Sequence, residues 1–241
     1  MSTLETKKIE PLSGTSVTLG AAGDAVTMPA GVTVKTNTVK DAGGNTLWTS
    51  DGSGTLSSVN SALQGNMIFI SSQTASSSAS LEFTTGIDST YDEYMIVYFG
   101  IVLEQGNEFL FDGSTDGGSN YGITKTTTYF SATHTESNNT AELSYKTGKD
   151  RSQSATFQHL TKELETNSDD GNAGIIHLFS PSNTTYVKHF YARTSSHSTS
   201  NAAVDAYIAG YFNTTSAIDA LQFKQGGGNI ESGTIAMYGI K

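Results

Sequence analysis

Apolar residues in this chain come in short runs, and glycine, asparagine, serine or proline closes nearly every run. That pattern limits the backbone to short strands joined by turns, because a helix needs an apolar stripe at 3.6-residue spacing sustained over several turns. The strongest run is Tyr94-Met95-Ile96-Val97-Tyr98-Phe99. It is unbroken, and so reads as a central strand covered on both faces. Met67 to Ile70 is a candidate strand before it, followed by a serine-rich stretch to Ser80. Further candidates are Glu108 to Phe111, Tyr121 to Phe130, Ala141 to Tyr145, Ser154 to His159 and Ala173 to Phe179. The series closes with Tyr186 to Arg193, Val204 to Phe212, Ala217 to Phe223 and Gly233 to Ile240. Strands at this spacing predict an all-β chain whose larger part, 61–241, is a jelly-roll-like β-sandwich head. One short stretch, Leu160 to Glu165, has leucines at i and i+4 and hints at a helical turn.

The segment before the head has a different texture. From Leu12 to about Asn60 it repeats a small residue, then Val-Thr-apolar, then usually a breaker. Period-2 alternation puts Val17 and Leu19 on one face, as it does Val26 with Met28 and Val32 with Val34. Two apolar side chains per strand make too little core for a lone hairpin. The stripes therefore predict a β fibre stem over 13–60 that closes on a threefold axis, a homotrimer with those six residues at its interface.

Composition excludes several classes. Only 15% of residues are charged, against about 25% in ordinary globular domains. Cysteine is absent, which removes disulfides and thiolate metal sites. The net charge of −10 argues against nucleic acid as a partner. Residues 1–60 hold four basic and five acidic side chains, and 61–241 hold nine and eighteen, so the head carries nearly all the excess acid. No run reaches the roughly 20 apolar residues of a membrane helix. Met1 to Leu12 is polar, with no apolar core of signal-peptide length. The expectation is a soluble protein made in a cytoplasm, without membrane partners.

Two stretches carry a family resemblance. Ile9 through Gly31, with Thr18-Leu19-Gly20, Gly23-Asp24 and Val26-Thr27-Met28-Pro29-Ala30-Gly31, resembles the stem repeats of bacteriophage tail-fibre proteins. Ala220 to Phe223 and Gly228 through Ile240 are similar to the closing strands of structural proteins of tailed, especially aquatic, phages. The resemblance implies a virion structural protein. Residues 1–12 are its attachment tip for other virion proteins, and the head contacts a host-surface glycan. A capsid- or baseplate-associated decoration protein, and a glycan-degrading spike, are the alternatives.

Few residues suggest chemistry. Ser114-x-Asp116-x-Gly118-x-x-Tyr121 resembles the Asp box, a turn in secreted β-proteins. Its spacing lets Asp116 accept backbone N–H groups, Gly118 take a positive φ and Tyr121 fold back on the hairpin. Asp112 lies four residues earlier, but the loop lacks the later bidentate glutamate of a Ca²⁺ loop. Tyr121 and Tyr129, with Phe130, flank threonine- and glycine-rich stretches and suit the stacking of sugar rings. Asp112, Asp116, Tyr121 and Tyr129 are accordingly the candidate ligand-binding residues. The five histidines, His134, His159, His177, His189 and His197, form no metal-binding pair, and His177 and His189 lie in apolar strands. Asp169-Asp170-Gly171-Asn172 reads as a turn. No catalytic residue, cofactor or metal site is expected.

Overall fold

A computed structural model describes residues 35–60, 65–167 and 169–241. These fall into two compact units, divided between residues 63 and 64. All secondary structure among the described residues is β, and every strand pairing is antiparallel. The apolar stripe Val17, Leu19, Val26, Met28, Val32 and Val34, and the tip 1–12, lie outside the described residues.

The first unit is a three-stranded sheet of β1 (Thr38–Lys40), β2 (Thr46–Ser50) and β3 (Leu56–Val59), in that order. An aspartate starts each turn. Asp41 Oδ1 accepts the Asn45 amide at 2.8 Å, and Asp51 Oδ1 accepts those of Ser53 and Thr55 at 2.7 and 3.1 Å. Such bonds close a turn locally and need no tertiary support. Val39, Trp48 and Val59 face one another across the three strands. Each is only partly covered, and no described side chain of residues 35–60 is buried.

The second unit has two layers. The larger sheet contains β4 (Met67–Thr74), β6 (Glu93–Leu103), β8 (Lys125–Thr135), β9 (Ala141–Tyr145), β10 (Arg151–Ser154), β12 (Asn172–Phe179), β13 (Lys188–Ser198), β14 (Ala202–Phe212) and β16 (Ile230–Ile240). Its order is β10-β8-β14-β13-β12-β6-β16-β4, with β9 also paired to β8. The smaller sheet runs β11 (Gln158–His159), β7 (Phe109–Ser114), β15 (Ala220–Gln225) and β5 (Ser80–Phe83). Alternation sets which side chains meet. Along β13, Phe190, Ala192 and Thr194 point inward while Tyr191, Arg193 and Ser195 point outward. The layers join through aromatic rings. Phe111 of the small sheet meets Phe190 and Phe212 of the large one edge-on, at 5.1 and 6.1 Å, and stacks on Phe223 at 6.1 Å.

The large sheet bends where three glycines meet. Gly100 has a φ of +64° and Gly233 one of +119°, and a Cβ on Gly171 would fall 2.9 Å from the Gly100 Cα. The β6 register with both neighbours shifts there, as a bulge requires.

The structure departs from the sequence reading in four places. The strand expected at Ser154 to His159 divides into β10, ending at Ser154, and β11, Gln158–His159, which belong to different sheets. Leu160 to Glu165 is a bent, non-helical strap, held by the Leu160 and Leu164 amides on the carbonyls of Phe109 and Asn107 at 2.8 and 2.9 Å. Both leucines are fully buried, so tertiary burial overrides their helical spacing. The strand expected at Tyr121 to Phe130 starts at Lys125 and runs to Thr135, because the preceding residues form the Asp-box turn and its return. The run Tyr94 to Phe99 lies mid-sheet, as expected, but only Tyr94, Ile96 and Tyr98 are buried. Met95 and Val97 are partly covered and Phe99 is exposed, since among the described residues of this unit no layer packs on the second face.

Phe111→Ala should cost about 3–5 kcal/mol, as aromatic truncation in a packed core does. Thr184→Ala, at an exposed loop position, should stay within about 0.5 kcal/mol. Urea unfolding of both variants checks the contrast.

Candidate functional site

The Asp-box turn has the geometry its spacing implies. Asp116 Oδ1 accepts the Asn120 amide at 2.9 Å and the Ser114 hydroxyl at 2.7 Å, and Oδ2 accepts the Asn120 side-chain amide at 2.7 Å. These bonds, that from the Asn120 side chain first, hold the Asp116 carboxyl down to about 2. Gly118 has a φ of +88°, and a Cβ there would approach Thr84 Cγ2 to 2.7 Å. Tyr121 folds back so that its hydroxyl reaches Glu82 Oε2 at 3.5 Å. Burial first, and then the Glu82 charge, push this phenol up to about 12.

Asp116 and Tyr121 share this turn, whereas Asp112 and Tyr129 are closed to solvent. Asp112 is fully buried on β7, with Oδ2 on Lys125 Nζ at 2.9 Å and Oδ1 on the Gly113 amide at 2.8 Å. Lys125 is equally buried and also donates to the Thr156 carbonyl at 2.9 Å. Burial pushes Asp112 up to about 6 and pulls Lys125 down, with their mutual attraction opposing both shifts. Tyr129 sits in the core on the inner face of β8, its hydroxyl without a partner among the described residues. Phe130, next to it, points outward.

A larger feature lies where no motif pointed. The outer face of the nine-stranded sheet carries Val97, Ile175, Arg193, Tyr207, Phe130 and Tyr145 in register across six strands. The Arg193 guanidinium lies 5.0 Å from the Tyr207 ring centre, and Tyr207 stacks on Phe130 at 5.0 Å. Arg193 also donates to both Asp205 oxygens at 2.9 and 2.7 Å, and the Tyr207 hydroxyl donates to the same carboxylate at 3.0 Å. Those bonds, led by Arg193, lower the Asp205 pKa. The next row holds Phe69, Tyr238, Met95, His177 and Tyr191. There His177 stacks on Tyr191 at 4.6 Å and bonds Glu93 through Nδ1 at 2.5 Å.

Beside the rings is a depression of about 790 Å³, with Ala132, Ala141, Ala173, Ser195 and Ala203 in its lining and Phe99 at its margin. A neighbouring polar hollow of about 620 Å³ contains His134, Glu136, Asp170 and His197. In it His197 Nδ1 meets Asp170 at 2.7 Å. Among the described residues, no three His, Asp or Glu side chains are grouped to hold a metal ion. The face offers apolar contact and a methyl-lined depression, with its ion pairs closed on themselves. Its signal in the sequence was present: runs such as Tyr94 to Phe99 are apolar at both parities. No family model, curated protein or solved structure matches the chain.

Lys125→Met should cost about 3–5 kcal/mol, because it leaves the Asp112 carboxylate buried without its partner. A carboxyl whose folded pKa lies above its unfolded value contributes stability that is fully present below the unfolded pKa and is lost as pH rises through the folded one. The deficit of the variant should therefore shrink as pH falls from about 7 to 4. Urea titrations at several pH values check this; a deficit independent of pH would contradict it.

Proposed function

We propose that the chain is a non-enzymatic structural subunit of a bacteriophage virion appendage, a tail fibre or spike, working as a homotrimer. In this reading residues 1–12 attach to other virion proteins, 13–60 form a trimeric β stem, and 61–241 form a jelly-roll-like head that contacts host-surface glycan. One observation carries it. The sheet of β1 to β3 has a hydrogen-bonded ladder, shifted in register at Val39/Lys40 and at Thr49/Ser50, and a shared apolar row, Val39, Trp48 and Val59, yet no buried side chain among the described residues 35–60. Strands this short gain little from their ladders alone, so the row is stabilised only when another surface covers it. Three identical rows closing on one axis supply that surface without exposing a new edge.

The head fits the role of a self-contained terminal body. Consecutive strands pass between its layers at both ends: β4, β6 and β16 lie in the large sheet, while β5, β7 and β15 lie in the small one. The last two strands return between earlier ones, β15 between β5 and β7 and β16 between β4 and β6. That exchange supports a jelly-roll-like description. The turn at Asp116 and Tyr121 carries polar groups beside a half-buried ring, which supports a sugar contact in this reading.

Sedimentation of the full chain at micromolar concentration should give the mass of three 25.4 kDa chains. A monomer or dimer would remove the trimeric stem from the account. Deleting residues 1–12 should leave that mass unchanged and abolish incorporation into particles; normal incorporation would remove the attachment role.

A further inference from the structure

The outer face of the nine-stranded sheet exposes apolar surface at the upper end of what a monomer carries. Phe69, Phe99, Phe130, Leu143, Tyr145 and Tyr191 lie on it and are each between 40% and 71% exposed. At about 200 Å² per large side chain, half exposure gives roughly 600 Å² of apolar surface from these six alone. Met67, Val97 and Ile175 add to it. The largest apolar patch on a monomer is about 300–600 Å², and a standard protein interface buries about 800 Å² per partner.

We propose that this face is an interface between copies of this chain, a second contact that rests on the reading of a multi-chain assembly. Four observations favour a copy over another occupant. First, the charge of Arg193 is matched on the face by Asp205, and Glu93 is hydrogen-bonded by His177. A surface of that kind does not call for a basic partner, and it lets chains of net charge −10 approach without local repulsion. Second, exposed apolar side chains and a depression occur together. Phe99 lines the alanine-rich hollow, and Leu143 is exposed on β9, which also contributes Ala141 to that lining, so one copy can supply both what enters and what receives. Third, the run Tyr94 to Phe99 is apolar at both parities, the pattern of a strand buried on two sides. The described residues of this unit bury only one side. Fourth, the stacking on the face disfavours a sugar. Phe130 and Tyr207 lie parallel to each other, with Arg193 over Tyr207, so their ring faces are occupied by neighbours. The hydrogen bonds of Arg193 and Asp205 are likewise spent on each other.

The chain has no cysteine, so a single introduced thiol reports cleanly on coverage. Ser195→Cys places one at the depression, at an exposed position of the isolated chain, and Thr184→Cys places another in an exposed loop as a reference. Both are made in the full chain and reacted with a maleimide at micromolar concentration, with the sedimenting mass measured in parallel. If copies cover the face, the thiol at 195 reacts at least about tenfold more slowly than that at 184, and the difference vanishes in denaturant. Adding Phe99→Glu and Leu143→Glu, both at exposed positions, restores fast reaction at 195. Equal rates in the native protein overturn the proposal and leave the face free for a glycan or another protein. Protection in a species with the mass of one chain overturns it too, since the cover then comes from within the chain. A trimer with a fast thiol at 195 keeps the stem and discards this interface. A protected thiol in an assembly that is not trimeric keeps the interface and discards the stem.

Discussion

Phe111 is where the larger unit is held together. Its ring stacks on Phe223 within the small sheet and meets Phe190 and Phe212 of the large sheet edge-on. Phe109 extends the contact, stacking on Phe223 at 5.9 Å and meeting Tyr98 at 5.3 Å. Each sheet thus has one face committed to the other, and alternation along every strand then fixes what the opposite face displays. The small sheet turns its second face toward the Asp-box turn and its return. The large sheet turns its second face to solvent.

Polar groups drawn into this interior set its secondary constraints. Asp112 and Lys125 are both fully buried and satisfy each other, with the Thr156 carbonyl and the Gly113 amide completing the set. Such a pair gains little over well-packed apolar residues but penalises the loss of either partner. It ties β7 to the first residue of β8, across the loop that carries Asp116 and Tyr121. The turn is therefore positioned from below by a buried charge pair and from within by its own hydrogen bonds.

Much of this was legible in the sequence, and the failures are informative. Strand runs such as Ala141 to Tyr145 were recovered because alternation and breakers agree. The Asp-box turn was legible because Ser114, Asp116, Gly118 and Tyr121 have local roles that need no tertiary context. The strap at Leu160 and Leu164 was not, since two leucines four apart fit a helical turn as well as two separate anchors in a core. The burial of Asp112 and Tyr129 was hidden because periodicity gives a strand's parity but not which layer lies over it. The outer face was the largest omission: its residues are scattered over eight strands and meet only through the register of the sheet.

The common element of both units is apolar surface that the described residues of each arrange but do not bury. In the smaller unit that surface is the row centred on Trp48, the chain's single tryptophan. Its fluorescence reports directly on whether other chains complete the sheet. The account predicts blue-shifted emission shielded from acrylamide at micromolar concentration, shifting red and becoming quenchable as dilution separates the chains. Emission that is equally red and equally quenchable at every concentration would contradict it.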